Sequence, residues 1–173
     1  MAKIRVFADT NVILEACRTG CWTAIGSHFA LETVEKCVEE TLTGNPEDPR
    51  HVPVLAAALK AGLAGQHPVT RKHIAALVLA HPACGVLDDG EKHLLAWLLA
   101  SKLLPSPAIV VTTADKAALV AAHGLGWLDG VVSLESLARQ AGVGRVKLEA
   151  LALQYREDWL SGIKTKIRLG IIP

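Results

Sequence analysis

The sequence predicts an α/β fold built on a parallel, doubly wound sheet, and three observations carry that expectation. Ile4, Val6, Phe7 and Ala8 make an apolar, β-favouring run that stops at Asp9-Thr10-Asn11 and resumes as Val12-Ile13-Leu14, the pattern of a buried strand passing straight into a helix. Ala108-Ile109-Val110-Val111-Thr112 repeats the pattern late in the chain, ending in Thr113-Ala114-Asp115 ahead of a helix from Lys116. Helical stretches separate the candidate strands, as the crossovers of a parallel sheet require.

Composition sets the bounds. A chain of 173 residues that is 51% hydrophobic can bury the core of one domain. With 18 basic and 17 acidic residues the net charge is +1, so the overall charge is not that of a non-specific nucleic-acid binder, although it leaves a nucleic-acid substrate open. Cys17, Cys21, Cys37 and Cys84 lack CxxC spacing and read as reduced thiols, small buried hydrophobes of a cytoplasmic protein. No apolar run approaches the 18 or more residues of a membrane span, and the chain opens on a strand, so a soluble, unprocessed protein is expected.

Taken in order, the first strand leads into a helix over Val12 to Arg18 that Gly20 stops, and a second short helix covers Trp22 to Gly26. His28 to Leu31 reads as a second strand. Thr33 then caps a helix through Leu42, rich in acid at Glu32, Glu35, Glu39 and Glu40, and Thr43-Gly44-Asn45-Pro46 ends it. Val54 to Leu63 is an alanine-rich helix whose scarcity of charge points to burial or to a second subunit. Thr70 opens a helix to Leu79. Asp88 and Glu91 have the form of a capping box ahead of the apolar helix Lys92 to Leu103. After the Val110 strand come a helix from Lys116 to His123, a short strand near Val131-Val132, a helix capped by Ser133, and one long final helix from Arg145 to Ile167. Trp22, Trp97, Trp127 and Trp159 are scattered and read as core, and His93 as structural.

The chemistry concentrates at strand ends. Asp9 and Asp115 follow two strands in the same manner, and neighbouring parallel strands place their carboxyl ends on one rim, where α/β sheets bind ligands. Asp9, Thr10 and Asn11 are also good helix caps, so capping alone explains them equally well. With Glu91 at a helix start and one glutamate of the Thr33 to Leu42 helix, four carboxylates can converge. Like charges so placed need a proton or a cation between them, and hard oxygen ligands suit Mg²⁺ or Mn²⁺. No Cys/His set has the spacing of a zinc site.

Phe7-Ala8-Asp9-Thr10-Asn11-Val12, Gly90-Glu91-Lys92-His93-Leu94-Leu95-Ala96 and Val111-Thr112-Thr113-Ala114-Asp115, in that order, resemble the PIN-domain ribonucleases, which include VapC-type toxins. The resemblance covers about residues 3 to 135. It implies a three-layer α/β/α sandwich with a central parallel sheet of four or five strands. Residues 1–143 would be the nuclease domain, with 144–173 a helix and tail packed on it or extending from it. It further implies Asp9, Glu40, Glu91 and Asp115 as catalytic metal ligands for Mg²⁺ or Mn²⁺, with Asn11 and Thr113 holding them in place. The fourth acid is chosen as Glu40 over Glu39, Glu35 and Glu32, from the apolar positions Cys37 and Val38 before it. Glu91 is preferred to Asp88 or Asp89. The implied activity is hydrolysis of single-stranded RNA, with an antitoxin protein and a homodimer as partners. Two other readings stand beside it: a PIN-like RNA-binding or scaffold protein without activity, and a phosphohydrolase of small esters, ranked last because Asp9-Thr10-Asn11 lacks an Asp-x-Asp nucleophile pattern. The gap from Glu91 to Asp115 looks long for the compact toxins, and the basic tail after Val143 matches no motif of the family.

Overall fold

A computed structural model describes residues 2–172. Four strands, β1 (Arg5–Ala8), β2 (Ala30–Val34), β3 (Gly65–His67) and β4 (Ile109–Thr112), form one all-parallel sheet in the order β3-β2-β1-β4. Helices cover it in a three-layer α/β/α arrangement. They are α1 (Thr10–Arg18), α2 (Trp22–His28), α3 (Glu35–Leu42), α4 (Ala56–Gly62), α5 (Arg71–Ala80), α6 (Asp89–Ala100), α7 (Lys116–Gly124), α8 (Leu134–Gln140), α9 (Arg145–Glu149) and α10 (Glu157–Arg168). The chain builds outward from β1 through β2 to β3, then returns to the other side of β1 as β4. The strand order therefore reverses between β1 and β4, whose register pairs Val6 with Val110 and Ala8 with Thr112.

Burial explains the strands. Val6, Phe7 and Ala8 are all inaccessible to solvent, as expected of a central parallel strand covered on both faces. One core runs from these residues through Ile13, Leu94, Leu98 and Leu119 to Leu151, Leu160 and Ile163, so the C-terminal segment packs on the same core as the sheet. The apolar helix predicted from Lys92 starts earlier, at Asp89, and is buried as expected through Leu94, Leu95, Ala96 and Leu98. Trp22 and Trp127 are core residues, and all four cysteines are free thiols. Among the described residues no helix is long and apolar enough to cross a membrane.

Several expectations are corrected. The second strand lies later than His28 to Leu31: Thr33 belongs to β2 and its hydroxyl donates to Ala8 O at 2.6 Å, so it does not cap α3. β3 is an addition to the expected strands, and the short strand near Val131 is reduced to a single bridge with Val111. Asp88 is the N-cap of α6 but makes no side-chain capping bond, so the capping box is absent. The alanine-rich helix is not buried; only Leu59 of α4 is, while Ala56 to Ala58 face solvent. The single long final helix is replaced by α9, a 3₁₀ turn at Leu153–Tyr155 and α10. Side chains hold the intervening backbone there: Glu15 accepts the Ala152 N–H at 2.7 Å, and Arg18 donates to Ala150 O at 2.7 Å.

Candidate active site

The carboxyl ends of β1 and β4 carry the two aspartates, at the point where the strand order reverses and an open α/β sheet forms its crevice. β1 ends as Asp9 N–H donates to Thr112 O at 3.3 Å, and α1 begins as Asp9 Oδ1 accepts the Val12 N–H at 2.8 Å. The capping explanation is thus correct for one oxygen only. Asp9 Oδ2 is buried and has no hydrogen-bond partner. Burial pushes the Asp9 carboxyl up to about 6, against the nearby Thr113 hydroxyl and the Val12 N–H, and the carboxylates of Asp115 and Glu40 add to the rise. Asp115 repeats the design at the start of α7, its Oδ1 accepting Ala118 N–H at 2.9 Å while its own N–H donates to Thr113 Oγ1 at 3.2 Å. Thr113 therefore holds the backbone of Asp115.

Glu91, in the first turn of α6, is buried, and its Oε2 is likewise unpartnered. Burial pushes it up to about 8, reinforced by the fields of Asp115, Asp9, Asp88 and Glu40. Glu40 reaches the same place from α3, where its Oε2 accepts the Thr10 hydroxyl at 2.6 Å and its Oε1 the Gly90 N–H at 3.1 Å. Gly90 permits that approach because a Cβ there would collide with Glu40 Oε2 and Thr10 Oγ1. Asp9, Thr10, Asn11, Glu40, Leu87, Asp88, Asp89, Gly90 and Glu91 line one cavity of about 430 Å³. Asn11 is exposed on its rim.

Of the four glutamates weighed from sequence, only Glu40 lines this cavity. Glu32 is bound by Arg5 and His67, Glu39 pairs with Lys36 at 3.1 Å, and Glu35 is exposed. Asp88 and Asp89 sit exposed on the rim, whereas Glu91 is buried within. His93 turns its Nδ1 to Asp89 O at 2.6 Å, a structural role. Beyond helix capping for Thr10, the sequence alone assigns no role to Thr10 or Gly90; the only signals are a hydroxyl between Asp9 and Asn11 and a glycine directly before Glu91. Nor does it mark Thr112, whose buried Oγ1 has no partner.

The donor chemistry fits a hard divalent cation, since two buried and unpartnered carboxylate oxygens, Asp9 Oδ2 and Glu91 Oε2, belong to residues of one cavity. Among the described residues, however, no three His, Cys, Asp or Glu side chains are gathered closely enough to form a metal-binding group as they stand. The acids are near enough to feel one another's charge and are not drawn together. Compared with known families, curated proteins and solved structures, the chain matches no family model, no curated protein and no solved structure.

Proposed function

We propose that this chain is a Mg²⁺- or Mn²⁺-dependent endoribonuclease of PIN type, acting in the cytoplasm on single-stranded RNA. The observation that carries the reading is the pair Asp9 and Glu91: both buried, each with an unpartnered oxygen, at the crevice where the strand order reverses. The motif resemblance supplies the substrate class. Asp9 and Glu91 would hold the cation, with Asp115 and Glu40 completing the acidic set. When bound, the cation supplies Lewis-acid stabilisation of phosphoryl oxygens and a more acidic water.

The chain's own groups do the rest. The Thr10 hydroxyl and the Gly90 N–H fix the Glu40 carboxylate so that it keeps one orientation. The Val12 and Ala118 N–H groups fix Asp9 and Asp115 by one oxygen each. Glu91, raised to about 8, keeps a proton at neutral pH until a positive charge displaces it. No side-chain nucleophile is needed, because water attacks phosphorus. An inhibitory protein partner, as in toxin–antitoxin pairs, belongs to the same reading, as does a homodimer using the exposed alanines of α4.

A second reading, a PIN-like RNA-binding or scaffold protein without hydrolysis, is favoured by the acids not being gathered into a metal-binding group. Cleavage of a mixed pool of labelled single-stranded RNAs with Mg²⁺, Mn²⁺ or EDTA separates the two. The amide oxygen of Asp9→Asn can still accept the Val12 N–H, so this variant keeps the cap and removes the charge. Metal-dependent cutting that falls by at least about 10²-fold in Asp9→Asn supports the nuclease. Cutting that survives in the variant refutes the site, and no cutting by the wild type favours the scaffold.

A further inference from the structure

The acidic cavity does not end at Glu40. A second cavity of about 130 Å³ shares Glu40 as a wall and is lined further by Leu14, Asn45, Asp48, Arg50 and His51. Asn11 of the first cavity and Leu14 of the second are three residues apart on α1, so the two share one face of that helix. The lining changes character along the way: the second cavity keeps the Glu40 carboxylate and adds that of Asp48, but it also has basic side chains. The first cavity has Asp9, Glu40, Asp88, Asp89 and Glu91 and no basic side chain; the second brings in Arg50 and His51 from the segment between α3 and α4.

We propose that this second cavity binds the backbone phosphate next to the scissile one, with Arg50 and His51 as the groups that hold it. The inference rests on the ribonuclease reading above and deepens it: a substrate that presents two consecutive phosphates binds better than one that presents a single phosphate. At the acidic cavity a cation offsets the phosphate charge, whereas the neighbouring phosphate must find its positive charge on the protein. Arg50 is suited to this. Its side chain is 91% exposed and its ion pair with Asp48 is long, at 3.3 Å, an arrangement weak enough to be exchanged for a phosphate. Asp48 keeps a partner when the guanidinium turns away, because its Oδ1 also accepts the Arg50 N–H at 2.8 Å. The backbone around these groups is fixed by the His51 N–H, which donates to Asp48 O at 2.8 Å, and by Asn45 Oδ1, which accepts the Glu47 N–H at 3.0 Å. A cleft of this polarity selects a polynucleotide over a small phosphate ester, which would occupy the acidic end alone.

The test compares wild type, the double variant Arg50→Ala/His51→Ala, and Lys102→Ala, which removes a cation beyond the C-terminal end of α6 and far from Glu91. Hydrolysis of an octaribonucleotide and of a dinucleoside monophosphate is measured in Mn²⁺, together with fluorescence-anisotropy binding of the labelled octanucleotide over a salt series in the same buffer. The double variant is expected to raise KM for the octanucleotide at least tenfold more than KM for the dinucleotide. Its salt slope of binding should fall by about 0.7 for each phosphate that is no longer neutralised, with Lys102→Ala following the wild type. Equal penalties on the two substrates, or unchanged octanucleotide binding, overturn the proposal. If the wild type hydrolyses neither substrate, the ribonuclease reading fails and the binding series decides alone: weaker, less salt-dependent binding by the double variant supports the phosphate pocket, and no RNA affinity in the wild type overturns it.

Discussion

Four carboxylates among the described residues are buried to nearly the same depth, Asp9 at 1% exposure and Glu15, Glu32 and Glu91 at 6%, and they form two contrasting pairs. Glu32 is gripped by Arg5 Nε at 2.5 Å, Arg5 Nη2 at 2.8 Å and His67 Nε2 at 2.6 Å, with His67 in turn stacked on Trp97. Glu15 is held by both donors of Arg18 and by the Ala152 N–H. Burial pushes both of these up, but their partners more than offset it, and both end below the usual glutamate range. Asp9 and Glu91 suffer the same burial without cationic partners and end above it. Depth alone therefore does not mark a functional acid. The informative difference is that one pair was given partners by the fold and the other retains an unpartnered oxygen each.

The contrast predicts opposite pH dependences, and this is the largest expected effect. Glu91 and Asp9 have folded values above their unfolded ones, so their share of stability is complete below about pH 4 and is lost as pH rises, for Asp9 through about 6 and for Glu91 through about 8. Each group still titrating removes up to about 1.4 kcal/mol per pH unit. Glu15 and Glu32, being lowered, lose their share only when pH falls below the ordinary glutamate value. Denaturant unfolding of the protein in EDTA from pH 4.5 to 9 should show stability declining by several kcal/mol toward pH 8. Glu91→Gln should level off above about pH 6, where only the Asp9 share has been lost. A wild-type profile that is flat above pH 5 would contradict the field of clustered acids.

Breaking the partnered pair should be costly in a different way. Glu32→Ala leaves Arg5 and His67 without their acceptor beside the sheet, and removal of one member of a buried pair costs about 3–5 kcal/mol. Arg5 keeps 35% of its side chain in water, which lowers the expected loss to about 2–3 kcal/mol, with RNA cleavage per folded molecule unaffected. A variant that retained full stability would mean that the Arg5–Glu32–His67 cluster contributes nothing to folding.

What the sequence disclosed follows the same division. The rim was legible because its cause is local: an apolar strand ending in Asp9 or Asp115 and running into a helix fixes where the acid stands, whereas the adjacency of β1 and β4 is a matter of strand order, which parallel pairing alone does not determine. Glu91 was legible from the helix behind it. Thr33 is easily misassigned because a hydroxyl ahead of a helix looks the same whether it caps that helix or, as here, donates across to Ala8 O from near the end of a strand. The break after Glu149 is invisible in the sequence. No glycine or proline marks it, and the groups that hold the opened backbone, Glu15 and Arg18, lie at the far end of the chain. β3 is only three residues long and contains a glycine, too little pattern for a strand to be inferred.

The smallest effect to be resolved lies between two adjacent glutamates. Glu40 and Glu39 are consecutive on α3, so a helix turns them about 100° apart, and their neighbours differ accordingly. Glu40 accepts from Thr10 and Gly90 at the cavity wall, while Glu39 stands in water beside Lys36 with 61% of its side chain exposed. In Glu40→Gln the amide oxygen can take the Gly90 N–H and the amide nitrogen can donate to the Thr10 hydroxyl, so shape and bond count survive. Only the charge assistance is lost, worth about 1 kcal/mol of stability. Glu39→Gln removes an exposed pair worth about 0–0.5 kcal/mol. Melting temperatures should therefore barely separate the two variants, whereas metal-dependent RNA cleavage should fall in Glu40→Gln and stay at the wild-type level in Glu39→Gln. Equal cleavage by both would mean that Glu40 braces Thr10 and the Gly90 backbone without joining the acids at the strand ends, and the site would shrink to Asp9, Glu91 and Asp115.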